Sequence, residues 1–519
     1  MSTFPALLAV IYATIAIWLA AYGLNALVLA LLYLRHSGGR DEGSTLRLQS
    51  VRPWQFGRPS HCEDSSTPKS FPSVTVQVPV YNERHVIERA IDAVASLDYP
   101  RDRLQIQILD DSTDETTRLA HQRAAYHRRR GLDIRVLRRV DRSGFKAGAL
   151  AFGLHQARGA YVAIFDADFR PHKDFLLQTV PHLLSRPGLG LVQVRWSHLN
   201  ANYSPLTRAQ AIAFDGHFVV EQTARNRSGL LMNFNGTAGV WRKACIIDSG
   251  GWQTDTLSED LDLSYRAQLA GWETLYLPGV DAPAELPPQI AAFKRQQARW
   301  AQGSVQTLRK LTGPILNSNR LGVAQKGMAL LHLSGYLAHA LLVLLLLVTL
   351  PLVVLDVAPP TLGNLGLLMG LGPPLIYVLA AQQLYSDWRR HLLGLPLVLL
   401  AGVGIAWNNT MAAWRGLTRW GGTFARTPKF RVEDEPGGEA RQWRGSSYRL
   451  GVDRSVIGEV ALTLYAVASS LVAISSGRYA MLPFLLLCAA AFGTVGGLEL
   501  AQAVWVRPRH NAKAHPVSQ

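Results

Sequence analysis

Long apolar runs and short alternating ones divide this chain. Residues 5–34, PALLAVIYATIAIWLAAYGLNALVLALLYL, carry no charge, a stretch longer than the roughly 20 residues a spanning helix needs. It is too long for a signal-peptide core and no small-residue cleavage site follows, so it predicts a retained anchor. Apolar runs return from about 325. Residues 331–356 and 361–383 are long enough to cross a bilayer, and 457–475 and 480–504 form a closing pair. Residues 392–414 are apolar but broken by Gly, Pro and Asn. Arg35 and Arg40, the SDWRRH stretch at 386–391 and the basic tail RPRHNAKAH are charges of the inside type. If all are inside, 392–414 must enter and return, or lie at the interface.

Between these runs the pattern shortens. SVTVQVPVYNE alternates Val74, Val76 and Val78 with polar residues and ends in Asn82-Glu83. LQIQILDDSTDET ends in Asp110 and Asp111, and YVAIFDAD in Asp166 and Asp168. Helical stretches at 84–97 and 113–130 separate them. Strands alternating with helices predict an α/β domain with a mostly parallel, Rossmann-like sheet. Ligands of such sheets bind beyond the carboxyl ends of the strands, where all these acids fall.

The predicted order is a transmembrane helix (1–36), a Ser-, Gly-, Pro- and charge-rich linker (37–72) and the α/β domain (73–286). Amphipathic interfacial helices follow (287–325), then transmembrane or re-entrant helices (326–415). A polar cytosolic region (416–456), a C-terminal helix pair (457–505) and a basic tail (506–519) complete it.

Composition decides one point. A net charge of +16 on 519 residues suits nucleic acid or a membrane surface, and the apolar runs select the bilayer as partner, with no nucleic acid. Cys62, Cys245 and Cys488 form neither a disulfide framework nor a zinc spacing, which suits a cytosolic main domain.

Three constellations carry chemistry. Asp166 and Asp168, just past a strand end, can share one hard cation such as Mg²⁺ or Mn²⁺ with substrate phosphates; alone, such a pair is more often a solvated turn. Ser258-Glu259-Asp260 opens a helix. Capping explains one or two acids there, but not Glu259, Asp260 and Asp262 together, so a carboxylate is available to take a proton from a sugar hydroxyl. In FKRQQARWAQGS, Gln296, Arg299 and Trp300 share helical spacing within an amphipathic, interfacial pattern. Arg can clamp a diphosphate, and an indole suits the apolar face of a pyranose.

The ordered set resembles a family. Val80-Tyr81-Asn82-Glu83, Asp110-Asp111-Ser112, Gly144-Phe145-Lys146-Ala147-Gly148, Asp166-Ala167-Asp168, Ser258-Glu259-Asp260 and Gln296-x-x-Arg299-Trp300 look like the membrane-embedded, processive, inverting family 2 glycosyltransferases. Phe424-x-x-Thr427-x-Lys429 is similar to the gating loop of cellulose synthase. SEDLDLSYRAQLAGW and AELPPQIAAFKRQQARW resemble the cellulose-synthase-like A glucomannan and mannan synthases.

The resemblance implies a GT-A domain between transmembrane helices and a set of roles. Asp260, with Glu259, would be catalytic. Asn82, Glu83, Asp110, Asp111, Lys146, Asp166, Gln296, Arg299, Thr427 and Lys429 would bind the nucleotide sugar. Asn235, Gly236, Thr237 and Trp300 would hold the growing polysaccharide acceptor, and Asp166 and Asp168 would ligate Mg²⁺ or Mn²⁺. It further implies a cell (inner) membrane location, a cytoplasmic catalytic domain and product exit through the membrane helices. Only about 27 residues separate Phe430 from the next apolar run, too few for a cyclic-di-GMP-binding β-barrel. Glucan and mannan, and UDP-glucose and GDP-mannose, stay open as products and donors. The alternative is a non-processive transferase acting on a lipid, similar to ceramide glucosyltransferases. The gating-loop likeness, the two C-terminal helix groups and Trp407, Trp414 and Trp420 favour the processive reading.

Overall fold

A computed structural model of the chain describes residues 3–37, 71–357, 363–434 and 442–504. Nearly all of the expected linker, the basic tail and Cys62 lie outside the described residues. The sheet holds β1 (Val74–Val80), β2 (Leu104–Asp110), β3 (Asp133–Leu137), β4 (Tyr161–Ile164), β5 (Leu189–His198), β6 (Gly239–Arg242) and β7 (Glu273–Ala284). Its order is β3-β2-β1-β4-β6-β5-β7. Strand β6 runs antiparallel to β4 and β5, and the other pairings are parallel.

The alternation read in β1 has a different meaning here. Val76 and Val78 are fully buried, but so are Thr75 and Gln77 on the opposite face. Helix Phe145–His155 covers that face, with Gly153 so close that a Cβ would lie 2.6 Å from Gln77 Nε2. The polar side chains satisfy one another: Thr75 Oγ1 donates to Gln105 Oε1 at 2.8 Å and Gln77 Nε2 to Gln107 Oε1 at 2.9 Å. These bonds offset part of the cost of burying the ladder, while Gln77 Oε1 and Gln107 Nε2 stay without a partner among the described residues. Each buried Val or Ile around it stabilises the sheet by roughly 1.5–3 kcal/mol.

Four helices among the described residues are long and apolar enough to cross a membrane: Phe4–His36, Leu337–Val354, Ser455–Ser475 and Tyr479–Val504. Trp388–Gly404 and Ala406–Thr418 form a fifth crossing if taken as one span, but a 43° bend divides them. The bend falls within the run whose Gly, Pro and Asn content made a single straight crossing unexpected. Helix Ile290–Asn317 links the two parts of the molecule. It is not a surface-lying amphipathic helix along its whole length. Lys294, the lysine of the FKRQQARWAQGS stretch, is buried with its Nζ 2.6 Å from both Glu459 and Glu499. Those two glutamates come from the C-terminal helix pair, so charge pins this helix to it.

Candidate active site

The strand ends and helix termini surround one cavity of about 140 Å³. Strand β4 delivers Asp166 and Asp168, and the turn after β1 delivers Glu83. Helix Glu259–Ala270 presents Glu259 and Asp260 from its first turn. Helix Ile290–Asn317 contributes Gln296, Arg299 and Trp300, and the segment 421–430 contributes Phe424, Arg426, Thr427 and Lys429. Two glycines permit this convergence. Gly236 has φ +80°, and a Cβ on it would lie 2.7 Å from Asp260 Oδ2, so its bare backbone leaves that oxygen open. A Cβ on Gly303 would lie 2.1 Å from Ser258 Oγ, so the Arg299 helix packs directly on the turn before Glu259.

Electrostatics at the site are tightly arranged. Lys146 Nζ lies 2.6 Å from Asp166 Oδ1, and Lys429 Nζ 2.6 Å from Asp168 Oδ2. Burial opposes the charge on Lys146, but Asp166, Glu259 and Asp260 outweigh it and raise its pKa. Burial pushes Glu259 up to about 7, reinforced by the charge of Asp260, and burial also raises Asp260. Burial pushes Glu285 up to about 7 as well, although it accepts the backbone N–H groups of Phe430 and Arg431 at 2.9 Å each. Arg426 clamps Glu83 through two bonds of 3.0 and 2.7 Å.

Several polar atoms lining the cavity are buried and have no hydrogen-bond partner among the described residues. They are Gln296 Oε1, Arg299 Nε, Thr427 Oγ1, Asn235 Nδ2, Trp196 Nε1 and Arg142 Nε. An unmet buried group costs about 1–3 kcal/mol, and a polar ligand would relieve that cost. The donor set also suits a divalent cation. Two carboxylates two residues apart, each already holding an ammonium, mark a position that takes positive charge. The described residues bring no third acid, His or Cys to it, so a diphosphate would supply the remaining oxygens.

Most of the residues expected from sequence meet here, and three do not line the cavity. Asp110 is buried and accepts from Ser112 N at 2.9 Å and Thr117 Oγ1 at 2.7 Å, so it builds the turn while Asp111 reaches the cavity. Asn82 accepts from Thr113 N at 2.8 Å and ties the β1 turn to the β2 turn. Thr237 Oγ1 accepts from Asp166 N at 2.9 Å, which fixes the start of the acidic turn. Asp262 is absent from the lining, being held by Arg266 and Lys310. Ser258 makes no side-chain cap bond. Sequence reasoning missed Arg142, whose guanidinium lies 3.3 Å from the Tyr81 ring centroid, as well as Arg426, Glu285, His198 and Phe214. Arg426 sits within the Phe424-x-x-Thr427-x-Lys429 pattern, so its charge was available as a signal. The others carry no local spacing signal.

Residues 72–303 match the family described as Glycosyltransferase like family 2. Glucomannan 4-beta-mannosyltransferase 2 of Arabidopsis thaliana is 42% identical over 267 residues, 51% of this chain and 50% of that protein. Probable glucomannan 4-beta-mannosyltransferase 6 of Oryza sativa subsp. japonica is 42% identical over 268 residues, 51% of this chain and 47% of its own length. The chain thus spans about half the length of the curated relatives it matches. Among solved structures, the mannosyltransferase PcManGT from Pyrobaculum calidifontis, in complex with GDP-Man and Mn2+, superposes with a TM-score of 0.52 at 22% identity. The match covers 79% of this chain and 99% of that one, and it identifies the fold as GT-A.

Proposed function

We propose, from the premise that residues 72–303 are a family 2 glycosyltransferase domain, that the chain is a membrane-embedded processive β-glycan synthase. It transfers hexosyl units from a nucleotide sugar to the non-reducing end of a growing polysaccharide and passes the product through its membrane helices. Its place is the inner cell membrane, with the catalytic domain on the cytoplasmic side. The donor is GDP-mannose or UDP-glucose, and the mannosyltransferase names of the relatives favour the first.

One observation carries this reading: buried, unpartnered Gln296 Oε1 and Arg299 Nε share a cavity with the strand-end acids and the Glu259–Asp260 pair. Asp111 and Lys146 hold the nucleotide end of the donor. Arg299 and Gln296 hold its diphosphate, with Thr427 and Lys429 meeting it from the segment above. Asp166 and Asp168 would hold Mg²⁺ or Mn²⁺, which supplies charge neutralisation on the departing diphosphate. Asp260 accepts the proton of the acceptor hydroxyl, whose oxygen attacks the anomeric carbon opposite the diphosphate. The old C–O bond breaks as the new one forms, and the anomeric configuration inverts. Glu259, one residue away and buried with it, tunes the basicity of Asp260. Trp300 seats the terminal sugar, and Asn235 and Gly236 line the same cavity on the acceptor side.

The test is to incubate membranes containing the protein with labelled GDP-mannose and labelled UDP-glucose separately and to size the product. Polymer from one donor supports the proposal. One sugar on an extractable lipid replaces it with the lipid-acceptor reading, and no transfer from either donor overturns it.

A further inference from the structure

Beyond Trp300 the cavity wall continues through residues that belong to none of the motifs. Phe214 stands between Trp300 and His198, with ring centroids 5.9 Å from the first and 6.0 Å from the second. His198, at the end of β5, lines the cavity, yet its side chain is only 5% exposed. Its Nε2 lies 3.3 Å from Asp215 Oδ1. Asp215 is itself buried, and its other oxygen accepts from Tyr385 Oη at 2.7 Å. Tyr385 belongs to a separate small cavity under the site and is clamped by the His391 ring, 3.8 Å away and 9° from parallel.

This chain has a chemical consequence. No Lys or Arg pairs with Asp215 among the described residues, so the His198 N–H and the Tyr385 O–H are what answer its buried charge. A carboxylate on Nε2 holds the proton there and leaves Nδ1 as the acceptor atom of the ring. Nδ1 has no hydrogen-bond partner among the described residues and is not among the sealed atoms. Trp196, 6.0 Å from Phe214, extends the aromatic wall, with its own indole N–H sealed away from the cavity. An acceptor nitrogen set among aromatic rings suits a sugar hydroxyl, the rings facing its apolar C–H surface.

We propose that His198 binds a hydroxyl of the acceptor glycan, and that Asp215 and Tyr385 are positioning residues that fix its ring. The proposal rests on the glycosyltransferase reading and extends its acceptor site past Trp300. A site built to hydrogen-bond a hydroxyl discriminates through that bond, so the effect belongs to the acceptor and not to the donor.

The experiment uses the full chain in its membrane, the donor that wild type accepts, and β-1,4-mannotetraose and cellotetraose as acceptor probes. His198→Phe should raise the acceptor KM about tenfold, the scale of one lost hydrogen bond. Donor KM, and donor hydrolysis without acceptor, should stay within about twofold. His198→Gln, which restores an acceptor oxygen, should recover most of the loss. Tyr385→Phe, which does not line the main cavity, should raise the acceptor KM about threefold and leave the donor KM alone. It decides the matter if His198→Phe does not fold. Wild type that transfers sugar while His198→Phe and Tyr385→Phe behave like it, or shift donor and acceptor KM together, overturns this inference and leaves the glycosyltransferase reading standing. Wild type that transfers nothing removes both.

Discussion

The cavity has two walls held in place by different forces. Helix Ile290–Asn317 is fixed by packing. Gly303 lets it rest on Ser258, Ala301 and Val305 are fully buried, and Lys294 is buried between two glutamates. Segment 421–434 has an apolar anchor at Phe430 and Val432, but its tip is held by charge, through Lys429 on Asp168 and Arg426 on Glu83. The tip lines the same cavity as the strand-end acids, so a donor proposed to bind there meets these ion pairs. A residue that must stay in one place through every cycle is held by shape. One that must yield to a charged substrate is held by charges that the substrate can replace.

The largest effect is expected on the fixed wall. Asp260→Asn keeps the shape and removes the proposed base. Transfer should fall by at least about a hundredfold, the low end for a lost general base, while nucleotide affinity in the same preparation stays near wild type. If the variant elongates at the normal rate, the base lies elsewhere.

Shape itself is tested by two glycines on one helix. A Cβ on Gly303 would meet the backbone and Cβ of Ser258, at 2.7 and 2.8 Å, while one on Gly313 would meet nothing within 4 Å. Gly303→Ala should lose about 1–3 kcal/mol of stability through overpacking and slow transfer roughly tenfold as Arg299 and Trp300 are displaced. Gly313→Ala should gain up to about 1 kcal/mol from helix propensity and leave transfer unchanged. Detergent-resistant thermal unfolding and turnover measured side by side would show whether the two glycines differ. Equal behaviour would remove the claim that close packing positions this wall.

The same contrast explains what sequence could convey. The fixed wall was largely legible, because Asp166, Asp168, Glu259, Asp260, Gln296 and Arg299 carry charge or amide groups at strand ends and helix spacings where a core has no use for them. Thr427 and Lys429 emerged only through a family likeness. The latch was not legible, because Glu83 and Arg426 are 343 residues apart and spacing says nothing at that range. Asp110 and Asp111 were indistinguishable as neighbours, and only the turn geometry sends one inward to cap Ser112 and the other to the cavity. In β1, the alternation of valines with polar residues marked a strand and left the burial of its polar face open. The paired Thr75 and Gln77 ladder shows that polar residues can alternate in a core when the next strand offers matching partners.

A smaller effect should appear in the pH profile. Glu259 and Asp260 are buried together, and burial raises both, Glu259 to about 7. As the proposed base Asp260 must be ionised to accept a proton, so turnover should fall as pH drops, with an acid limb above the ordinary carboxylate range that belongs to the pair. Glu259→Gln removes the neighbouring charge. Ionisation of Asp260 then becomes easier, and the limb should move to lower pH by about one unit. The measurement is kcat across roughly pH 5 to 9 at saturating donor. An unmoved limb would separate the pair and assign the titration to another group.

The smallest effect is expected at the latch, and it carries the most information about the movable wall. Lys429 is buried, and although burial opposes its charge, Asp168 and nearby Glu83 and Glu285 keep it protonated. In the seated segment its ammonium stands on the carboxylate proposed for Mg²⁺ or Mn²⁺, so the two cations compete for Asp168. In the proposed donor complex the same ammonium would be free to meet the diphosphate. Lys429→Ala removes both roles, with opposite consequences. The metal concentration for half-maximal nucleotide binding should fall severalfold, because no internal cation has to be displaced; a charge-assisted hydrogen bond of about 1.5–3 kcal/mol sets the upper limit. The donor KM should rise and turnover should slow, because the diphosphate loses a partner. Titrating metal by nucleotide-binding calorimetry and donor by initial rates gives the two numbers independently. Opposite movement of the two constants is the signature of a wall held by an exchangeable charge. If both constants move together, or neither moves, Lys429 does not compete with the metal, and the tip is held by the Arg426–Glu83 pair together with Phe430 and Glu285.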